Sequence, residues 1–213
     1  MTTARTYGDP CAAARALDLI GERWALMIVR ELLFGPKRYS DLQSGLPGAS
    51  PTVLSQRLRD LEEGQVIQRR KLGPPTRAWV YELTDWGHQL EPILVNLGRW
   101  GRRTPARQTT MTLGIDSLIL ALECHLDPAM LQGLDATLLL DLGEDLFTIR
   151  AVDGDLAIQR GEPTHWNAAL RTDVATFKAL VIEGRPINEL DGRLETTGDR
   201  ETLHRLLDAL TTA

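Results

Sequence analysis

The segment from Leu46 to Leu83, LPGASPTVLSQRLRDLEEGQVIQRRKLGPPTRAWVYEL, most narrows what this chain can fold into. Ser50 followed by Pro51 is a helix start: the hydroxyl accepts from an orphan backbone N–H, and proline at the first helical position gives up a donor that had no partner. Leu54, Leu58 and Leu61 then fall at i, i+4 and i+7, which predicts a helix over 51–63 with one buried face. After Gly64 the period changes. Val66 to Arg70 and Ala78 to Leu83 are rich in β-branched and aromatic residues and are predicted as strands, joined by a tip at Gly73-Pro74-Pro75-Thr76-Arg77. A capped helix running directly into a two-stranded ribbon is the order of a winged helix-turn-helix, with recognition helix 51–63 and wing 72–79.

The flanking residues supply the rest of such a domain. Cys11 to Ile20 and Glu22 to Phe34 repeat apolar residues at helical spacing, with Trp24, Met27, Ile28 and Leu32 predicted on one face of the second helix. Gly35-Pro36 stops it. Ser40 with Gln43 three residues on has the capping-box spacing for a short third helix, which Leu46-Pro47-Gly48 ends. Thr84 or Asp85 is the expected cap of a helix from Trp86 to Trp100, with Pro92 as an internal kink. Its apolar stripe (Leu90, Ile93, Leu94, Leu97, Trp100) exceeds what a terminal helix on a small domain needs, and a homodimer is the expected use.

Charge separates the chain into halves. Through Arg107 there are 16 Lys and Arg against 11 Asp and Glu; beyond it there are 8 against 18. Only the first half is basic enough to sit on phosphates, so double-stranded DNA is the expected partner. Ser50, Thr52, Ser55, Gln56 and Arg59 present hydroxyls, an amide and a guanidinium suited to base edges. Lys37, Arg38, Arg69, Arg70, Lys71 and Arg77 are candidate phosphate or minor-groove contacts.

A polar stretch, 104–111, is the expected linker between a first domain over 1–103 and a second over 112–213. The second reads as a helix over Leu113 to Leu122, then strands over 136–142, 147–152, 156–160 and 168–172. Asp153-Gly154 is a tight hairpin turn, and Asp173 caps a helix over 174–183. A short strand near 194–196 leads to Asp199 and a final helix through Leu210. That order predicts an α+β layer, an antiparallel sheet with helices on one face.

Two resemblances go with these motifs. Ala16-Leu17-Asp18-Leu19-Ile20-Gly21-Glu22-Arg23-Trp24, Arg30 to Tyr39, Leu46 to Pro51, Leu54 to Glu62 and Tyr81-Glu82-Leu83-Thr84 together resemble the HxlR family of bacterial regulators over about residues 8–103. The resemblance implies a homodimeric winged helix-turn-helix acting at promoters, and it aligns Cys11 with a cysteine some members use to sense oxidants or electrophiles. Gly154 to Gly161, Ala169 to Asp173, Phe177 to Leu180, Ile182 to Pro186 and Gly192 to Asp199 resemble sterol carrier protein-type domains over about 112–212. Asn188, Glu189 and Asp191 depart from that family's plainer hydrophobic lead into the last strand. This second resemblance implies a pocket for a lipid-like or other apolar small molecule. Leu118, Leu122, Phe147, Trp166, Phe177, Leu180, Val181, Leu203 and Leu207 are the candidate lining residues, with ordinary core packing as the competing reading for each.

Other classes find little support. Cys11 and Cys124 make no disulfide framework, residues 1–10 have no apolar signal core, and no run approaches the roughly 20 residues of a membrane helix, so a cytoplasmic protein is expected. His88, Cys124-His125, His165 and His204 match no zinc spacing. No phosphate-binding glycine loop or nucleophile elbow is present, and neither an enzyme nor a cofactor is expected. The competing reading is a lipid or small-molecule carrier whose winged helix makes protein contacts. Internal pairing of Arg69 and Arg77 with carboxylates would favour it.

Overall fold

The computed structural model describes residues 6–105, 113–190 and 192–211. The expected linker falls mostly outside them, as does Asp191. The chain divides into two compact units, residues 1–94 and 95–213.

The first unit contains α1 (Ala12–Ile20), α2 (Ala25–Leu32), α3 (Tyr39–Gly45), α4 (Pro51–Glu63), β1 (Ile67–Lys71), β2 (Trp79–Leu83) and α5 (Asp85–His88). Ser50 caps α4 as its sequence predicts, accepting from the Val53 N–H at 3.3 Å, and Leu54, Leu58 and Leu61 are buried. Thr84 caps α5 through the Gly87 N–H. β1 and β2 pair antiparallel with Lys71 opposite Trp79.

Three local expectations need correction. α2 begins only at Ala25, because Trp24 precedes it with a φ of 79°. Its buried face is therefore Ala25, Ile28, Val29 and Leu32, while Met27 is half-buried. α3 starts at Tyr39 rather than Ser40: the Arg38 N–H donates to Asp41 Oδ2 at 3.0 Å, and Gln43 instead donates to the Ala49 carbonyl. The helix expected over 86–100 is two helices, α5 and α6 (Glu91–Gly101). Pro92 does not kink a continuous helix; it sits in the first turn of a new one, where its missing N–H costs nothing.

A buried carboxylate ties this unit together. Glu31 on α2, 3% exposed, accepts from Arg30 at 2.7 Å and from Lys37 Nζ at 2.6 Å. Lys37 in turn exchanges both backbone hydrogen bonds with Tyr81 of β2, at 2.9 and 2.8 Å. Gly45 ends α3 against the same carboxylate, where a Cβ would collide with it.

The second unit continues with α7 (Ile115–His125), β3 (Asp135–Asp141), β4 (Leu146–Val152), β5 (Asp155–Arg160), β6 (Ala168–Arg171), α8 (Val174–Val181), β7 (Glu195–Gly198) and α9 (Arg200–Thr211). Asp173 accepts from the Thr176 N–H at 2.8 Å and Asp199 from the Glu201 N–H at 3.0 Å, the two capping roles their sequence predicts. The sheet order is β5-β4-β3-β6-β7. It is mixed rather than wholly antiparallel, since β6 lies parallel to β3. After β5 the chain has to return the length of the sheet before β6 begins. Asn167 fixes that return, its side chain accepting from the Thr137 N–H and its own N–H donating to the Thr137 carbonyl. Burial alternates along β3 and β4, with Ala136, Leu138, Leu140, Phe147, Ile149 and Ala151 inside. These face the core shared with Leu118, Phe177, Leu206 and other apolar residues of α7, α8 and α9. Within this unit, Arg160 bonds Asp116 at 2.7 Å and Asp145 while lying over the Phe147 ring.

Removing the Glu31 carboxylate takes from Arg30 and Lys37 the anion that both of them bond in a half-buried place. Glu31→Ala is expected to cost the first unit about 3 kcal/mol in urea unfolding, and Glu31→Gln less. A loss below about 1 kcal/mol, the scale of an exposed pair, would contradict this.

Candidate nucleic-acid interface

The exposed side of α4 carries Thr52, Val53 and Arg59, with Ser55 and Gln56 half-buried beside them. The Arg59 guanidinium donates to Gln56 Oε1 at 2.7 Å, and Gln56 Nε2 donates to Asp60 Oδ1 at 2.7 Å. These side chains thus form a hydrogen-bonded row along the helix, with Arg59 at its open end. Ser55 donates to the Tyr39 hydroxyl at 3.3 Å, which couples the row to α3. Ser50 serves as the cap, so its hydroxyl has a structural partner.

The wing has two chemically different faces, set by the register. Arg69, Lys71, Trp79 and Tyr81 share one face, and Gln68, Arg70 and Glu82 share the other. On the first, the Arg69 guanidinium lies 4.6 Å from the Trp79 ring centre and 5.9 Å from that of Tyr81, and Lys71 Nζ lies 5.9 Å from Trp79. Both cations rest there on aromatic surface. On the second, Arg70 makes a two-pronged ion pair with Glu82, its Nη2 at 2.7 Å and its Nε at 2.8 and 3.0 Å. The Arg70 side-chain hydrogen bond holds the Glu82 carboxyl below the ordinary glutamate value of 4.5 and raises the arginine's own pKa. Arg77 stands exposed at the tip with φ 45°.

The cations predicted from sequence therefore divide. Arg38, Arg59, Arg69 and Arg77 are exposed, and no carboxylate within ion-pair distance holds them among the described residues. Lys37 is taken up by Glu31 and Arg70 by Glu82. Sequence reasoning left out Glu31 and the part played by Trp79. Strict alternation along β1 and β2 carries the signal for Trp79, since it puts Arg69 and Trp79 on one face.

Cys11 is exposed at the start of α1, and hydrogen bonding from the backbone at Ala14 and Ala13 lowers its thiol pKa. Cys124 is buried, and desolvation raises its pKa. Among the described residues no group of His, Cys, Asp and Glu is arranged to hold a metal ion, and no helix is long and apolar enough to cross a membrane.

In the second unit, Leu118, Leu122, Phe147, Phe177, Val181 and Leu207 are core residues at 2% exposure or less, and Trp166 is 39% exposed. Leu180 and Leu203, also buried, line a cleft of about 750 Å³ between the end of α8, the 184–188 segment, the approach to β7, and α9. Much of its wall is polar: Arg185, Asn188, Thr196, Arg200, His204 and Asp208.

A capped helix with a polar exposed face, followed by a basic wing, defines the first unit as a winged helix-turn-helix of the nucleic-acid-binding class. Residues 19–109 match the model of the HxlR-like helix-turn-helix family. YvaP, an HTH-type transcriptional regulator of Bacillus subtilis, is 38% identical over 86 residues, spanning 40% of this chain and 80% of YvaP. YodB, an HTH-type transcriptional regulator of the same organism, is 31% identical over 85 residues, 40% of this chain and 76% of its own length. Rv3095, an HTH-type transcriptional regulator of Mycobacterium tuberculosis, is 40% identical over 90 residues, covering 42% of this chain and 56% of that protein. The chain belongs to the HxlR family.

The Arg70–Glu82 pair should show itself in pH dependence. A carboxyl whose folded pKa is depressed adds stability above its unfolded value, and that stability is lost as the pH falls through the folded pKa. The stability difference between the natural chain and Glu82→Gln should thus be present at neutral pH and vanish in acid below the ordinary value of 4.5. By NMR titration, Arg70→Ala should return the Glu82 carboxyl upward; an unchanged midpoint would show that the pair does not cause the shift.

Proposed function

We propose that this protein is a DNA-binding transcriptional regulator that meets promoter duplex as a homodimer, through recognition helix α4 and the wing. The observation that carries this reading is that Arg69 and Arg77 have no carboxylate within ion-pair distance among the described residues, with Arg69 laid on Trp79. Family membership supports it, as do the transcriptional regulators among the relatives. Thr52, Ser55, Gln56 and Arg59 read base edges in the major groove, and Ser50 positions the helix N-terminus. Arg38, Arg69 and Arg77 hold the backbone or the neighbouring minor groove. Lys37 and Arg70 act by holding their own elements in place. Dimerisation is supported by α6, which buries Leu94 yet leaves Ile93 (51%), Leu97 (44%) and Trp100 (67%) exposed. Such a stripe on a twofold axis would pair with itself and call for palindromic half-sites.

The second unit is read as a sterol carrier protein-like module that receives a small molecule and adjusts DNA affinity. Support comes from its order, a helix followed by a five-stranded sheet and covering helices, and from its cleft. A ligand of this kind regulates only if it binds the DNA-competent state and its alternative unequally.

The test is fluorescence anisotropy of the full chain against duplexes from its own promoter region, read across salt concentrations. Arg59→Ala should weaken specific binding by about 1–3 kcal/mol and relax sequence choice. Arg77→Ala should weaken all sequences alike and reduce the salt slope by about 1, whereas Arg70→Ala should change the slope much less. Equal binding of specific and random duplex by the natural chain would overturn the reading. By light scattering, Leu97→Glu should convert the dimer to a monomer, and a dimer that survives it would remove α6 from the interface.

A further inference from the structure

The polar row on α4 is a chain of hydrogen bonds whose direction is fixed by what its ends can do. It starts at Glu22, ahead of α2, whose Oε2 lies 4.0 Å from Arg57 Nη2. Arg57 Nη1 bonds Asp60 Oδ2 at 2.7 Å, and Asp60 Oδ1 accepts from Gln56 Nε2 at 2.7 Å. Gln56 Oε1 in turn accepts from Arg59 Nη2 at 2.7 Å. A carboxylate only accepts and a guanidinium only donates. The Gln56 amide between them therefore has one orientation that satisfies both, nitrogen toward Asp60 and oxygen toward Arg59. Arg57, Asp60 and Gln56 are half-buried and Arg59 is exposed. The chain thus runs outward and ends in an oriented guanidinium, with no carboxylate among the described residues within ion-pair distance of it.

We propose that Asp60 is a positioning residue for base recognition, and that Arg59, held by Asp60 through Gln56, selects guanine at the base pair it faces. The inference rests on the reading of α4 as the recognition helix, and it names the base that this helix demands. Guanine offers two acceptors, O6 and N7, on its major-groove edge. Adenine sets a donor beside its N7, cytosine offers a donor, and thymine has one acceptor next to a methyl group, so a group that only donates fits guanine best. A glutamine that reads adenine uses its amide oxygen and nitrogen together. In Gln56 both are already engaged, so its part in base choice passes through Arg59. Asp60 has one oxygen on Arg57 and the other on Gln56, and the cation beside it offsets the repulsion a carboxylate exerts on phosphate. As an ordinary helix-surface pair, Gln56 and Asp60 would only support α4 and affect every duplex alike.

The experiment selects duplexes from a randomised pool with the full chain. It then measures, by fluorescence anisotropy, the affinity ratio between the selected duplex and each of its single-base-pair substitutions. Such a ratio is insensitive to the net charge a variant gains or loses, since charge acts on all sequences alike. Arg59→Ala is expected to lose about tenfold discrimination at one G·C pair. Asp60→Ala and Gln56→Met should each lose about threefold at that same pair and leave the other positions unchanged. Added to Arg59→Ala, Asp60→Ala should remove nothing further, because its effect has to pass through the guanidinium. Loss at an A·T pair in Arg59→Ala, loss at a different pair in Gln56→Met, full discrimination kept in Asp60→Ala, or additive losses in the double variant would each overturn the proposal. Failure of the underlying reading looks different. A natural chain that enriches no sequence removes the recognition helix and this proposal together, whereas enrichment followed by any of those results removes the proposal alone.

Discussion

One carboxylate holds the first unit in register. Glu31 is buried on α2, gathers Arg30 and Lys37, and lies against the end of α3 at Gly45. Lys37 carries that anchorage on into β2 through paired backbone hydrogen bonds with Tyr81. A helix, a turn, a second helix and the wing are thereby referred to one point of negative charge. Directional charged contacts fix the angles between such elements more sharply than apolar packing alone does. The same contact explains why a lysine from the basic half is not available to phosphate.

Much of the fold was legible because its signals are local. Ser50-Pro51, Asp173 and Asp199 announce helix starts whose chemistry is complete within three residues, and all three accept the expected backbone hydrogen bonds. The Asp153-Gly154 turn and the alternation along β4 likewise need no distant partner. What escaped was long-range. Glu31 in an otherwise amphipathic helix looks like a solvated charge until Lys37 folds back on it. The parallel pairing of β3 with β6 depends on how the chain returns after β5, which no strand pattern encodes. Pro92 was visible, yet one proline is compatible with a kink or with a fresh start, and only packing decides.

The candidate interface was legible in composition and less so in assignment. Counting arginines found the basic wing, but could not separate Arg69 from Arg70, adjacent residues with opposite fates. One rests on Trp79 with no carboxylate beside it among the described residues, while the other is paired with Glu82. In the second unit the same limit applies to apolar residues: Phe147 and Phe177 fill the core, whereas Leu180 and Leu203 also border the cleft. Hydrophobicity marks a side chain as inside without saying whether a space lies beside it.

The stack of Arg69 and Lys71 about Trp79 bears on the thermodynamics of docking. A free arginine or lysine forfeits up to about 2 kcal/mol of rotamer freedom when a complex immobilises it. Here the indole has already narrowed the arrangements open to both side chains before any partner arrives. Much of that ordering cost is met in folding the wing, so a larger share of the electrostatic attraction survives as affinity. The aromatic residue thus sets how rigidly the wing holds its two cations.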